Sequence, residues 1–478
     1  MNRGLRAAVA VVAAATLAGP ASGFAAAAAP APSSPAGSAP THQDVDGDGY
    51  ADLLVGAPGA TVKDHAKAGY VALTFGSTTG VDMDRHQGLT QAHTGVPGTP
   101  EAGDAFGQTV ATGDMDGDGH TDLVVSAPGE SIGDVKAAGS VTVVFGSASG
   151  LSDHAIAFHA PKPTAGRHFG DRIALGDFDH DGRDDLAVVD GSKADVVKGA
   201  ANLRDTATPK ITSLTPPVGS AGLESVRSGD VNGDGYADLV TVGYDDDPAD
   251  EGTLAVLPGS STGLRATLLG KSVGLPFAGY RTVVGDVNGD GKDDVLLDTS
   301  FEDGPDDYKL RILPGATGGL DTASPVVWQA PLLSGTATQL ADVDGDGHDD
   351  LVVADTFAGD SDGINSAGAL TVVSGGTDWL DPASKRTVSL DTDGVSGVAE
   401  GGDLFGSAVA PADYNGDGTA DLAVGVPGKH DEKGGVSMLY GSADGITPKG
   451  SILFGPDTFK YPWVQARFGA AVAGTQED

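Results

Sequence analysis

Seven short stretches of this chain carry Asp or Asn at positions 1, 3, 5 and 9, a spacing of oxygen donors suited to one kind of chemistry, the ligation of a hard cation. The first three sets are Asp44, Asp46, Asp48 and Asp52, then Asp114, Asp116, Asp118 and Asp122, then Asp177, Asp179, Asp181 and Asp185. Asp230, Asn232, Asp234 and Asp238 form the fourth, and Asp286, Asn288, Asp290 and Asp294 the fifth. The last two are Asp342, Asp344, Asp346 and Asp350, and Asp413, Asn415, Asp417 and Asp421. Gly at position 6 of every set permits the sharp turn that aims the odd-numbered side chains inward. Successive sets start 70, 63, 53, 56, 56 and 71 residues apart, a period that signals a repeat architecture.

The pattern is similar to the first half of an EF-hand loop, which would also need a bidentate Glu at position 12 and flanking helices. Position 12 is instead Val55, Val125, Val188, Thr241, Leu297, Val353 or Val424. Position 9 leads directly into a short run of strand formers such as Leu123-Val124-Val125, too short for a helix. The stretch therefore reads as a Ca²⁺ loop inside a β-hairpin, with up to seven ions bound.

The surrounding elements can be laid out as four strands per repeat. One precedes the loop and contains a Phe-Gly pair, as in Phe106-Gly107, Phe169-Gly170 and Phe405-Gly406. A second comes after it and ends in Gly56-Ala57-Pro58-Gly59, Ala127-Pro128-Gly129 or Gly425-Val426-Pro427-Gly428. A third closes on a glycine turn, as in Val143-Val144-Phe145-Gly146-Ser147 or Met438-Leu439-Tyr440-Gly441-Ser442, and a weaker fourth includes Leu89-Thr90-Gln91 or Ile452-Leu453-Phe454. Four-stranded units repeated radially make an all-β propeller, here of seven blades. The first loop has no Phe-Gly strand before it, whereas Phe468-Gly469 near the C-terminus has no loop after it. Pairing of the two ends would close the ring and leave no free sheet edge.

Phe-Gly, the D-x-[DN]-G-D-G-x-x-D-L loop and Gly-Ala-Pro together resemble the FG-GAP repeats of the integrin α-subunit propeller and of many bacterial secreted proteins. The resemblance spans residues 44–478. It implies that the loop joins the first two strands of a blade, that the side chains at positions 1, 3, 5 and 9 ligate Ca²⁺ on one face, and that ligands meet the opposite face. Two departures stand out: His180 replaces Gly at position 4 of the third loop, weakening that site without abolishing it, and blades three to six lack Gly-Ala-Pro.

Arg3 and Arg6, an apolar run over residues 7–17 and small residues after it form the three-part pattern of a secretory signal peptide over residues 1–29. Residues 30–43 read as an Ala/Pro/Ser linker and 44–478 as the propeller. There is no cysteine, so bound metal is the available substitute for disulfides in an extracellular chain. The net charge of −39 lacks any basic stripe to meet phosphates and excludes nucleic acid as a partner. Seven divalent cations would relieve much of the self-repulsion.

Gly259-Ser260-Ser261-Thr262-Gly263 matches a nucleophile pattern, but its counterparts, such as Gly76-Ser77-Thr78-Thr79-Gly80, make it the structural turn of the repeat. His120 and His348 at loop position 7 read as solvent-facing, and Trp328, Trp379 and Trp463 as packing residues rather than sugar platforms. Acidic insertions around Asp245, Glu302 and Asp360 read as solvated loops opposite the Ca²⁺ loops. The chain is thus expected to be a secreted, monomeric, Ca²⁺-stabilised binding or adhesion module for an extracellular protein or glycan, with no membrane span and no catalytic residues. An extracellular hydrolase or lyase acting on polysaccharide or phospholipid is the alternative.

Overall fold

Strands such as Leu53–Ala57 and Asp122–Ala127 are buried at every position, a pattern that fits a strand covered on both faces. In a computed structural model that describes residues 43–473, except 219–221, 245–251, 276–280, 299–308, 330–336, 360–364 and 463, both faces are covered by neighbouring sheets. Leu53 and Val55 point into a core shared with residues 408–438, whereas Leu54 points into one shared with residues 110–125. The signal peptide, the linker up to residue 42, the acidic insertions and Trp463 lie outside the described residues.

The described residues form seven four-stranded antiparallel sheets, with the strands in sequence order in every one but the first. Blade 2 is typical: Val110–Gly113, Asp122–Ala127, Ser140–Val144 and Ala155–Phe158, running from the innermost strand outwards. Seven apolar clusters, one per blade junction, form the core. Blade 1 takes its innermost strand from the far end of the chain: Ala471–Val472 pairs antiparallel with Leu53–Ala57, Val55 opposite Val472. The innermost strands of successive blades touch one another, and the series returns to its start.

Three sequence expectations need adjustment. Phe-Gly lies in a turn ahead of the innermost strand and not within it, since the strands begin at Val110, Ile173, Val409 and Ala471. Its Phe is a hook. The rings of Phe106, Phe169, Phe405 and Phe468 are fully buried, and each Phe N–H donates to a carbonyl of the preceding blade, of Ala68, Ala138, Ala367 or Lys433. The outermost strand is longer than expected at both ends of the ring, Asp82–Leu89 and Thr447–Phe454. Gln43 belongs to the packed propeller: it is 1% exposed, its carbonyl accepts the Asp52 N–H at 2.7 Å, and its side chain meets Tyr414 of blade 7.

The hook at Phe468 holds the last blade to the first, among Tyr70, Phe454 and Phe459. Replacing Phe468 by Ala is expected to destabilise the protein by about 3–5 kcal/mol, seen as a lowered midpoint of thermal or urea unfolding. A change under about 1 kcal/mol would show that this junction does not hold the ring together.

Candidate metal centres

Each acidic loop is built by its own position-1 carboxylate. Asp44 Oδ1 accepts the N–H groups of Gly47 and Asp48 at 2.7 and 3.1 Å, and Oδ2 that of Gly49 at 2.8 Å. This folds the chain back on itself through two left-handed glycines, with φ 73° at Gly47 and 94° at Gly49. Asp114, Asp230, Asp342 and Asp413 repeat the three bonds. In the third loop His180 adopts the same left-handed conformation, φ 55°, and Asp177 still accepts from Asp181 and Gly182. The loop with the substituted glycine is therefore assembled.

Position 9 ties the loop to the blade. Asp52 Oδ2 accepts the Val45 N–H at 2.8 Å, and Oδ1 accepts the N–H of Gly76, in the turn after the third strand, at 2.9 Å. All seven position-9 carboxylates take that turn N–H, from Gly76, Gly146, Gly199, Gly259, Gly315, Gly375 and Gly441. The turn needs glycine for want of space: a Cβ on Gly146 would lie 2.4 Å from the carbonyl oxygen of Thr121.

The loops are also tied to one another. The position-8 N–H of each donates to the position-1 carbonyl of the loop before it, from Thr121 to Asp44, Asp184 to Asp114, Ala237 to Asp177, Asp293 to Asp230, Asp349 to Asp286, Ala420 to Asp342 and Ala51 to Asp413, at 2.9–3.2 Å. Side chains at position 7 cover the position-4 residue of the preceding loop. His120 lies over Gly47 and His348 over Gly289, so these two imidazoles face a neighbouring loop, contrary to the solvent-facing expectation. His180 meets Tyr236 edge to face, ring centroids 5.7 Å apart, in the same register.

Oxygen atoms of Asp44, Asp46 and Asp48 come within 4.8 Å of one another, as do those of Asp114, Asp116 and Asp122, of Asp177, Asp179 and Asp181, and of Asp342, Asp344 and Asp350. Loops 4, 5 and 7 carry Asn232, Asn288 and Asn415 at position 3. Asn232 and Asn415 turn the amide nitrogen towards the position-9 carboxylate, at 3.1 Å in both. The fit to a cation is direct: Asp46 Oδ1, Asp116 Oδ1, Asp179 Oδ1, Asp181 Oδ1, Asp344 Oδ1 and Asp421 Oδ2 are buried oxygens without a hydrogen-bond partner. Oxygen-only donors select a hard ion such as Ca²⁺ over softer metals.

The sequence reading missed the cations that already reach these loops. Arg85 lies 2.6 Å from Asp46, Arg204 2.5 Å from Asp116 and 2.6 Å from Asp118, and Lys198 contacts Asp179 and Asp181. They come from outside the loops, so loop spacing held no signal for them.

Burial, against the lowering effect of the turn N–H, pushes Asp52, Asp185, Asp238, Asp294 and Asp421 up to about 7, and Asp122 and Asp350 to about 8. The unfolded chain titrates these groups near 3.8, so between there and pH 8 the metal-free fold binds more protons than the unfolded chain. Stability from these groups is present at the acid end and is lost as pH rises through 7 to 8. In chelator, the thermal midpoint is therefore expected to rise on going from pH 8 to pH 6; a fall would contradict the assigned burial of position 9.

Comparison with known proteins agrees with this architecture. The model of the FG-GAP repeat matches residues 36–73, 106–144 and 405–437, and that of the FG-GAP-like repeat matches residues 177–241. Human phosphatidylinositol-glycan-specific phospholipase D is 38% identical over 117 residues, 24% of this chain and 14% of that protein. Integrin alpha-PS5 of Drosophila melanogaster is 30% identical over 150 residues, 29% of this chain and 15% of that one. The chain thus spans under a fifth of the length of either. Among solved structures, an Agrocybe aegerita lectin shares the fold, with a TM-score of 0.53 at 15% identity, over 90% of this chain and 95% of that one. With seven blades, seven acidic loops and these matches in register with them, the chain carries FG-GAP repeats, similar to those of integrin α chains.

Proposed function

We propose that this chain is a secreted binding or adhesion module that recognises an extracellular protein or glycan through the face opposite its acidic loops, with Ca²⁺ in up to seven of those loops. The carrying observation is a division of labour in the strand topology. Six of the seven acidic loops join the innermost strand to the second, and the first leads into the second strand of blade 1 in the same way, so segments joining the second strand to the third, and one blade to the next, emerge at the other end. There, an open cleft of about 690 Å³ lies among blades 1, 2 and 3, lined by His65, Glu101, Asp104, Ser131, Lys136 and His168. Mixed charge and exposed donors suit a polar ligand such as a glycan or a protein surface. Similarity to integrin α chains supports the adhesion reading, and Arg3, Arg6 and the apolar run after them support export. None of the described helices is long and apolar enough to cross a membrane.

Trp328 and Trp379, the described tryptophans, pack against the apolar cluster between blades 5 and 6, which leaves the cleft as the stronger candidate for ligand contact. The alternative reading, a hydrolase or lyase, rests on the same cleft. Beside it, burial pushes Glu130 up to about 7, against the hydrogen bond from Gln91, a value suited to general acid–base work.

One experiment separates the two. The protein is incubated in millimolar Ca²⁺ with polysaccharides, phospholipid vesicles and extracellular proteins, and retention and breakdown products are scored together. Saturable retention without products is expected, and accumulating products would overturn the binding reading in favour of the enzyme. Lys136→Glu, a change at an exposed position, is expected to weaken retention about tenfold with an unchanged thermal midpoint; unchanged retention would move the site out of the cleft. Chelation is expected to lower the thermal midpoint at pH 8, and an unchanged midpoint would sink the structural role given to Ca²⁺.

A further inference from the structure

The position-3 carboxylates of loops 1, 2 and 3 are buried, and each meets a basic side chain. The side chains of Asp46, Asp116 and Asp179 are 4%, 2% and 2% exposed. A carboxylate so placed is costly unless it is paired. In each, Oδ2 is held by a basic side chain, whereas Oδ1 is buried and without a partner. Loops 4, 5 and 7 avoid the problem by carrying Asn at position 3. Loop 6 keeps Asp344, which is only partly buried and makes no ion pair with a basic side chain among the described residues.

The three bases arrive by different routes. Arg85 projects from the outermost strand of its own blade, Asp82–Leu89, with its guanidinium 4.3 Å from the ring centre of Phe75. Arg204 lies in a 3-10 turn of blade 3, Leu203–Asp205, and crosses to loop 2 over Phe145, 5.2 Å from its ring centre. Lys198 comes just after the third strand of blade 3, Lys193–Val197, and serves loop 3. Phe75 and Phe145 occupy the same place in their blades, immediately before the turn glycine bound by position 9. Two unrelated arginines thus reach equivalent seats, each fixed by an aromatic face and by a buried carboxylate.

We propose that Arg85, Arg204 and Lys198 are built-in counter-cations: they support loops 1, 2 and 3 when no metal is bound, and they lower the affinity of those loops for Ca²⁺. The ion would take the free Oδ1 of a carboxylate whose Oδ2 the base holds. A unit positive charge within a few ångströms of a divalent ion costs about tenfold in affinity at an effective dielectric close to that of water. The inference rests on the Ca²⁺ reading of the loops, and its test separates the two.

The test is to titrate the purified chain with Ca²⁺ against a competing chelator, and to record its thermal midpoint in excess chelator, for the parent, R85Q, R204Q, K198Q and the triple variant. Each single change is expected to tighten one site about tenfold and to lower the metal-free midpoint, with three sites tightened in the triple variant. R204K should stay near the parent in both readouts, as should Lys162→Gln, which removes an equal charge at an exposed position in the segment joining blades 2 and 3, at the end opposite the loops. A variant that unfolds in chelator but is folded in Ca²⁺ also supports the proposal. Weakened Ca²⁺ binding in R204Q, or no change in either readout, would overturn it while leaving the Ca²⁺ reading intact. Absence of Ca²⁺ binding by the parent would overturn both.

Discussion

One backbone hydrogen bond per junction, from position 8 of a loop to the position-1 carbonyl of the loop before it, sets the conditions under which this molecule folds. Seven such bonds join all seven loops, the first to the last included. They draw the most acidic segments of a chain of net charge −39 into one ring on one face. Apolar cores at the blade junctions favour that arrangement and mutual repulsion among the carboxylates opposes it. The balance has to be restored where the charge is, which is why the chemistry of the loops and the stability of the ring are the same question.

The structure relieves repulsion in several ways at once. Position-1 carboxylates are taken up by the N–H groups of their own loops, and position-9 carboxylates by the turn after the third strand. At position 3 the charge is removed by Asn in three loops and opposed by Arg or Lys in three others. The remainder is a set of buried oxygens without a hydrogen-bond partner, donors of the kind a divalent cation of oxygen preference takes.

The opposite face is under no such constraint. Segments there are held by Phe-Gly hooks at four junctions, and between those hooks their length and composition vary freely. Blade 3 turns from its second strand to its third through Gly191 and Ser192, whereas blades 1 and 2 carry a dozen residues that build the cleft. Rigidity on one face and variation on the other is the arrangement in which recognition can change without the fold changing.

The sequence by itself determined the repeat, the all-β class, the count of blades and the loop positions that carry oxygen, because these rest on local rules: spacing, strand formers and glycine where the backbone turns. It also pointed to closure through the C-terminal Phe-Gly, since an unpaired repeat end is visible in a linear pattern. Only the tertiary structure decided that Phe468 is a hook and not part of a strand, that Gln43 is core, that His120 and His348 cover neighbouring loops, and that Arg85, Arg204 and Lys198 sit at the acidic loops. Each of these is a contact between segments far apart in the chain or in different blades, or one whose partner no fixed spacing announces. A repeat written along the sequence specifies its own unit; the effect of one unit on the next depends on side chains that meet only when the ring is closed.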